Sequence, residues 1–110
     1  MYKGGRTTPC DVLGNPIPLG GGTPMTPATA TATTNSSTVV ASNSARKGLI
    51  VMNLGTTNVH FGCGSTALLN SGITLNPNGV WIMDQYTFTT SAINAIVSTG
   101  TATLAIQEYN

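Results

Sequence analysis

Residues 48–62 read GLIVMNLGTTNVHFG, and this stretch decides the fold. The run from Gly48 to Leu54 is apolar and has the length of a strand, while the following GTTN has the composition of a turn. The chain then resumes as a second strand, in which Val59 and Phe61 lie on one face and His60 lies on the other. Strand, turn and strand in such close succession predict β structure.

Similar short segments lie on both sides of this stretch and are separated by turn-forming residues. Ala92 to Ile96 also has helical spacing, but its threonine-rich flanks and the following glycine favour a strand. The sequence therefore predicts an all-β chain with a single antiparallel β-sandwich, jelly-roll-like or immunoglobulin-like, because spacing does not encode strand order. The other predicted strands are Ser37 to Ser42, Gly72 to Leu75, Val80 to Met83, Ala92 to Val97 and Thr101 to Tyr109.

The first 33 residues differ in composition from the rest of the chain. They are rich in glycine, whose flexible backbone is costly to order, and in proline, which has no backbone N–H to donate. They end in the alternating tract ATATAT at 28–33. We therefore predict an extended N-terminal arm over residues 1–33 and a β-sandwich domain over residues 34–110. Two interpretations stay open: a disordered tail, or a tether that becomes ordered along a partner. The arm's apolar cluster comprises Val12, Leu13, Ile17 and Leu19.

Charge is scarce, at 6% of residues with a net charge of +1. Direct nucleic-acid binding is not expected, because such affinity comes mainly from Lys and Arg on phosphates. No apolar run is long enough to span a bilayer, and the first residues lack the apolar region of a signal peptide. Cys10 and Cys63 are expected to be free thiols of a reducing compartment, although one disulfide between them stays open.

The residues that could carry chemistry are few, and no charged residue occurs between Gly48 and Met83. The one candidate constellation is His60, Cys63 and Asp84, but His60 and Cys63 would point to opposite faces of a continuing strand. We expect His60 to be exposed on a strand, Cys63 to lie in a turn, and the protein not to be an enzyme. No cofactor or metal is expected, because two ligands do not complete a zinc site.

The segment Val80 to Met83 is apolar on both faces, with Trp81 and Met83 on one and Val80 and Ile82 on the other. Such a strand is expected to be buried on both sides, against the sandwich core and against a neighbouring subunit. A domain of this size has a thin core, which favours oligomerisation. Trp81, Met83 and Tyr86 join the four apolar arm residues as candidate subunit or partner contacts. The aromatic residues have two interpretations, core packing or a stacking platform for a sugar or a partner's side chain.

Seven short strings follow one another through the predicted strands and turns: ARK at 45–47, LIVMN at 49–53, NVHFG at 58–62, GITL at 72–75, GVW at 79–81, AINAI at 92–96 and GTATL at 100–104. Their order resembles the small β-sandwich virion proteins of tailed bacteriophages, of the capsid decoration (cement) or head-fibre kind. The resemblance covers about residues 38–109 and is a pattern of strands and turns without a catalytic signature.

The resemblance implies a homotrimer that decorates the capsid surface and bridges major capsid subunits, after assembly in the host cytoplasm. It also implies that the arm grips the capsid or a neighbouring copy. The alternative is a carbohydrate-binding or host-recognition module of a phage fibre or tail. This alternative predicts exposed aromatic residues, with Trp81 or Tyr86 as the stacking candidate.

Overall fold

The computed structural model describes residues 22–110, which form two four-stranded antiparallel sheets without a helix. The predicted all-β sandwich is therefore confirmed, and Ala92 to Val97 is indeed a strand. The strands are β1 Ala28–Ala32, β2 Ser37–Val40, β3 Gly48–Asn53, β4 Val59–Cys63, β5 Ile73–Leu75, β6 Val80–Ile82, β7 Ile93–Val97 and β8 Ala102–Tyr109.

Each sheet is assembled from strands that are mostly distant in sequence. The first sheet has the order β1-β8-β3-β6 and the second has the order β2-β7-β4-β5. Among consecutive strands only β4 and β5 are paired, because the other connections pass from one sheet to the other. The inward side chains of both sheets form one core, whose most enclosed members are Leu49, Val51, Val59, Ile93, Val97 and Leu104.

β1 lies within the range that the sequence assigns to the arm. It pairs with β8 from Ala28 opposite Ile106 to Ala32 opposite Ala102, and Ala32 is fully buried in the core. The chain follows β8 even before β1, since Thr23 exchanges two backbone hydrogen bonds with Asn110. The sheet therefore begins before residue 34, and the predicted boundary is placed too late.

Cys10 and the four apolar arm residues lie outside the described residues, so their predicted roles stay predictions. The four apolar arm residues are Val12, Leu13, Ile17 and Leu19.

The two ends of the sandwich differ in their connections. Short turns join the strands at one end, which we call the turn end: residues 33–36, 54–58, 76–79 and 98–101. Longer segments lie at the opposite end, which we call the loop end: residues 41–47, 64–72 and 83–92. The four charged side chains of residues 22–110 all lie at the loop end or beside it: Arg46, Lys47, Asp84 and Glu108.

The turn between β5 and β6 has the geometry that its sequence predicts. Asn78 has a φ of 64°, and the Gly79 amide donates to the Asn76 carbonyl at 2.8 Å. Asparagine accepts this left-handed conformation more readily than most residues. The turn reverses the chain and directs β6 along the edge of the first sheet.

Two buried polar side chains connect the sheets, one near each end. At the turn end, Asn53 of β3 donates through Nδ2 to the carbonyls of Thr57 and Leu75, at 2.8 and 3.1 Å, and Leu75 belongs to β5 of the other sheet. At the loop end, Arg46 precedes β3 and is paired with Glu108 of β8 at 2.7 Å, and it also donates through Nη2 to the carbonyl of Ala41, just after β2 of the other sheet, at 2.7 Å. Because buried polar groups are costly unless they are paired, both residues fix how the layers meet.

Candidate functional site

The outer face of the first sheet is apolar, and we call it the apolar face. Along β3, β6 and β8 buried and more accessible residues alternate, so that one set points into the core and the other points outward. Leu54, just after β3, continues the outward set and is half exposed. The apolar face comprises Thr29, Thr31, Ile50, Met52, Leu54, Val80, Ile82, Thr103, Ala105 and Gln107.

Strand register places the apolar residues of this face in two adjacent rows. Met52 lies opposite Val80 on one side and opposite Ala105 on the other. In the next row Ile50 lies between Ile82 and Gln107.

Val80 is 49% exposed and Ile82 is 65% exposed, although both are large apolar residues on a strand. The face carries no charged residue. It is therefore a continuous uncharged surface with apolar side chains directed to solvent, the type of surface that marks an interaction site.

An open groove of about 440 Å³ crosses this face. It lies above Ala105, whose small side chain sits between the larger Ile50 and Met52 and the start of β1. Gln107 lines the groove, but its amide nitrogen is already bound to the Met25 carbonyl at 2.6 Å. The groove is thus lined mainly by carbon atoms and offers few donors to a polar ligand.

The outer face of the second sheet is more polar, although Ile96 of β7 also points outward. The Thr38 hydroxyl donates to the Asn94 side-chain oxygen at 2.8 Å across β2 and β7. His60 Nδ1 lies 3.0 Å from the Thr74 hydroxyl across β4 and β5. Each of these polar side chains therefore has a hydrogen-bond partner on a neighbouring strand.

The loop end carries a second set of exposed apolar side chains, on the 83–92 loop. Asp84 holds this loop in a tight turn, because its carboxylate accepts the backbone amides of Tyr86 and Thr87 at 2.8 and 2.9 Å. These two hydrogen bonds, that of Thr87 first, lower the pKa of the Asp84 carboxyl below its ordinary value. The turn presents Tyr86, which is 87% exposed, and Phe88, which is 43% exposed.

Arg46 holds the 83–92 loop against the sandwich. Its side chain has no exposed area, and its Nη1 donates to the carbonyls of Thr89 and Ser91, both at 2.9 Å. Its Nε donates to Glu108 and its Nη2 to the Ala41 carbonyl, each at 2.7 Å. One guanidinium thereby connects β8, the segment after β2 and the exposed aromatic loop, which uses the fixed fork of donors that only arginine has.

Trp81 of β6 and Met83 just after it were predicted to be contact residues, but they do not lie at the surface. Trp81 and Met83 are both buried in the core, where the Trp81 ring lies 5.7 Å from the ring of Phe61. They therefore form part of the chain's own core, and Trp81 is not accessible for stacking on a sugar. The other face of the strand, Val80 and Ile82, is the one that points to solvent. Tyr86 is exposed, as a contact residue must be.

His60 is buried, which corrects its expected exposure. It lies on β4, an inner strand of the second sheet, with Thr74 on one neighbour and Ile96 on the other. Its Nδ1 is engaged by Thr74 and it sits three positions before Cys63 along the strand. The structure gives no hydrogen bond between His60 and Cys63.

Cys63 is exposed at the end of β4. Desolvation raises the pKa of its thiol, while the charge of Arg46 opposes this effect. A raised pKa leaves less of the thiolate, which is the nucleophilic form of cysteine. Within residues 22–110 no three His, Cys, Asp or Glu side chains are grouped so as to hold a metal ion.

Comparison of the chain with protein families, curated proteins and solved structures found no match in any of the three. Among residues 22–110 there is no helix suited to crossing a membrane. The apolar face and the 83–92 loop are therefore interpreted from their own geometry.

The sequence predicts that β6 is apolar on both faces, but it does not predict that Ile50, Met52 and Leu54 point outward. Their outward position becomes visible only once β3 is known to lie inside a sheet.

Proposed function

We propose that this chain is a structural virion protein that decorates and stabilises the capsid of a tailed bacteriophage by bridging major capsid subunits. The observation that supports it most is the apolar face, an uncharged surface on a rigid sheet that is suited to contact with other protein. Such a surface loses little by desolvation when it is covered, because it carries no charge to remove from water. The resemblance of the strand pattern to phage virion proteins supplies the partner.

The proposed molecule is a homotrimer on the outer capsid surface, with the N-terminal residues in contact with the capsid or with a neighbouring copy. Repeated weak contacts over a shell gain strength through effective concentration, so each contact can be modest. The described chain begins at Gly22 beside Tyr109, at the loop end. The first described residue therefore lies on the same side of the sandwich as the exposed Tyr86 and Phe88.

The test is co-sedimentation with undecorated capsid shells of the phage whose genome encodes the chain. We expect saturable binding, with a copy number that is a fixed multiple of the capsid subunits. A matched variant would lack only residues 1–21, because a longer deletion would remove β1 and damage the sheet. Weaker binding of this variant would support a role of the arm, whereas absence of saturable binding by the folded full-length protein would overturn the proposal.

The second candidate, a carbohydrate-binding or host-recognition module, is favoured by the exposure of Tyr86 on a loop whose turn is fixed by Asp84. Beside it lies a cavity of about 430 Å³ that is lined by Lys47, Met83, Asp84, Gln85 and Phe88. This candidate requires selective binding on a glycan array that is lost in Tyr86→Ala. Trp81 is unsuitable for the test, because its substitution would open the core.

A further inference from the structure

We propose that residues 12–19 of this chain, VLGNPIPL, occupy the open groove of the chain's own apolar face, with the side chain of Ile17 above Ala105. This segment precedes the described residues. The contact forms within a single free chain, so it goes beyond the proposed function and does not depend on it. Three features support it: where the described chain begins, how short the connection is, and what lines the groove.

The described chain begins on the outer side of the first sheet, at Gly22. A Cβ atom on Gly22 would lie 2.7 Å from the Cβ of Tyr109, so the two residues are in direct contact. Side chains alternate along β8, and Tyr109 is two positions after Gln107, which lines the groove, so both point to the apolar face. The chain before Gly22 is therefore attached on the side of the sheet where the groove lies.

The groove lies close to this attachment point. Ala105 is four positions before Tyr109 on β8, which is about 13 Å at the rise of a strand. Ile17 is five positions before Gly22, and an extended chain of this length spans up to about 17 Å. Ile17 therefore reaches the middle of the groove, while Leu19 reaches only its near end.

The connection has to turn back over the face, and its sequence permits this. The residues just before β1 run along β8 in the opposite direction, so a straight path backwards from Gly22 would lead away from the groove. A glycine triplet, residues 20–22, lies at this point. Because glycine adopts the backbone conformations of tight turns without steric cost, the triplet can return the preceding segment to the face.

The segment and the groove match in polarity. The groove is uncharged and lined mainly by carbon atoms, and residues 12–19 contain four large aliphatic side chains and no charge. Pro16 and Pro18 have no backbone N–H to leave unpaired over an apolar surface. They also favour extended backbone at Asn15 and Ile17, the residues that precede them, which lowers the entropy cost of ordering the segment.

The covalent connection favours this segment over any separate partner. A short flexible linker gives the attached segment an effective concentration of about 1 mM, so that a contact of a few side chains is sufficient. A separate surface at about 1 μM would have to bind roughly a thousand-fold more tightly to displace it. The groove of about 440 Å³ also has the size of pockets that hold small ligands, which suits a few side chains.

The occupied groove leaves part of the apolar face uncovered. Among the described residues, those that line the groove come from β1, β3 and β8 or from the residue just before β1, and none comes from β6. Val80 and Ile82 of β6 therefore stay exposed beside the segment. The segment and β6 would form one continuous surface, which is compatible with a role of both in the proposed capsid contact.

Disulfide trapping on the full-length chain tests the contact. Cys10 and Cys63 are first replaced by serine, and Ile17→Cys is then combined with Ala105→Cys. With a mild oxidant at low protein concentration, we expect a disulfide within one chain that forms at least about ten-fold faster than in the control pair. The matched control combines Ile17→Cys with Thr38→Cys, an exposed position on the outer side of the second sheet.

An NMR measurement on the full-length chain needs no cysteine. Ile17→Asp should shift the amide resonances of Met52 and Ala105 relative to the wild type, because a charged side chain is expelled from an apolar groove. The resonance of Asn94, on the second sheet, should stay in place. Thr8→Asp is the matched control, because it adds the same charge to the arm outside residues 12–19. It should leave all three resonances unchanged.

Equal rates for the two cysteine pairs would overturn the proposal. So would disulfides that join two chains, because the occupant of the groove would then come from a second copy. Amide resonances of Ile17→Asp that match those of the wild type would also overturn it. The result is separable from the capsid role: a trapped contact in a protein that does not bind shells would leave the groove assignment intact, while the proposed function fails.

Discussion

At the scale of single residues, Arg46 contributes most to the order of the loop end. Its four donated hydrogen bonds reach β8 and two separate loops, and its side chain is fully enclosed. The sequence offered no sign of this role, because an arginine in a polar turn next to Lys47 is expected to face solvent. The burial results from three carbonyls and a carboxylate that converge only after the sheets have packed.

Replacement of Arg46 by alanine is expected to lower the free energy of unfolding by about 3 kcal/mol or more, because it leaves Glu108 and three carbonyls without their donor. Arg46→Lys should recover only part of the loss, since a lysine lacks the fork of donors. Lys47→Ala is the control, with an expected change within about 0.5 kcal/mol for an exposed side chain. Urea unfolding of the three variants measures the effect, and an unchanged midpoint for Arg46→Ala would contradict it.

His60 is buried, although the sequence predicts an exposed side chain. Alternation along β4 correctly separates it from Val59 and Phe61, which point into the core. Alternation alone cannot tell whether the outward face is covered, and here the neighbouring strands β5 and β7 flank the ring on both sides. Burial of an outward residue depends on its position within the sheet, which spacing along the chain does not encode.

At the scale of elements, the strands beyond the arm were predictable from apolar runs and turn residues, whereas β1 was not. Ala28 to Ala32 alternates alanine and threonine, but small side chains give a weak apolar signal, and the segment follows proline-rich sequence. Its strand is set by pairing with β8, a contact between residues 70 to 78 positions apart. The sequence likewise left the sheet order open, because strand pairing depends on such distant contacts.

The 83–92 loop should respond to acid through Asp84. The pKa of this carboxyl is lower in the folded chain than in the unfolded chain, because the ionised form accepts the amides of Thr87 and Tyr86. The turn is therefore fully stabilised above the unfolded pKa, and this stabilisation is lost as the pH falls through the folded pKa. The amide resonances of Tyr86 and Thr87 should shift together in an acid titration followed by NMR.

Two variants sharpen this test. Asp84→Asn keeps an acceptor oxygen without the charge and should remove the pH dependence while retaining most of the turn. Asp84→Ala should increase amide exchange at Tyr86 and Thr87 at every pH. Shifts of the two amides in Asp84→Asn that match those of the wild type would show that another group titrates.

At the scale of the whole molecule, the described chain is a sandwich with unlike ends and unlike faces. Charges lie at the loop end or beside it, polar hydrogen-bonded side chains share the outer face of the second sheet with Ile96, and apolar side chains predominate on that of the first. The sequence shows that charged residues are few, but it does not show where they lie in the fold. That distribution depends on which strands form the same sheet.

The boundary of the folded unit gives a prediction at this scale. A chain of residues 22–110 should unfold cooperatively with a midpoint near that of the full-length protein. A chain of residues 34–110 lacks β1 and buried Ala32, and it exposes the edge of β8, so it should be strongly destabilised or aggregate. Thermal unfolding monitored by circular dichroism distinguishes the two, and equal stability would restore the boundary that the sequence suggested.

The absence of charge from the apolar face also has a kinetic consequence. Two uncharged surfaces have no long-range attraction to orient them before they touch, so their association rate should remain near about 10⁵ to 10⁶ M⁻¹ s⁻¹. Ionic strength should change this rate little, because there is no electrostatic steering to screen. The rate at which this face meets such a surface would then depend on the concentrations of the two partners, and not on the salt content of the solution.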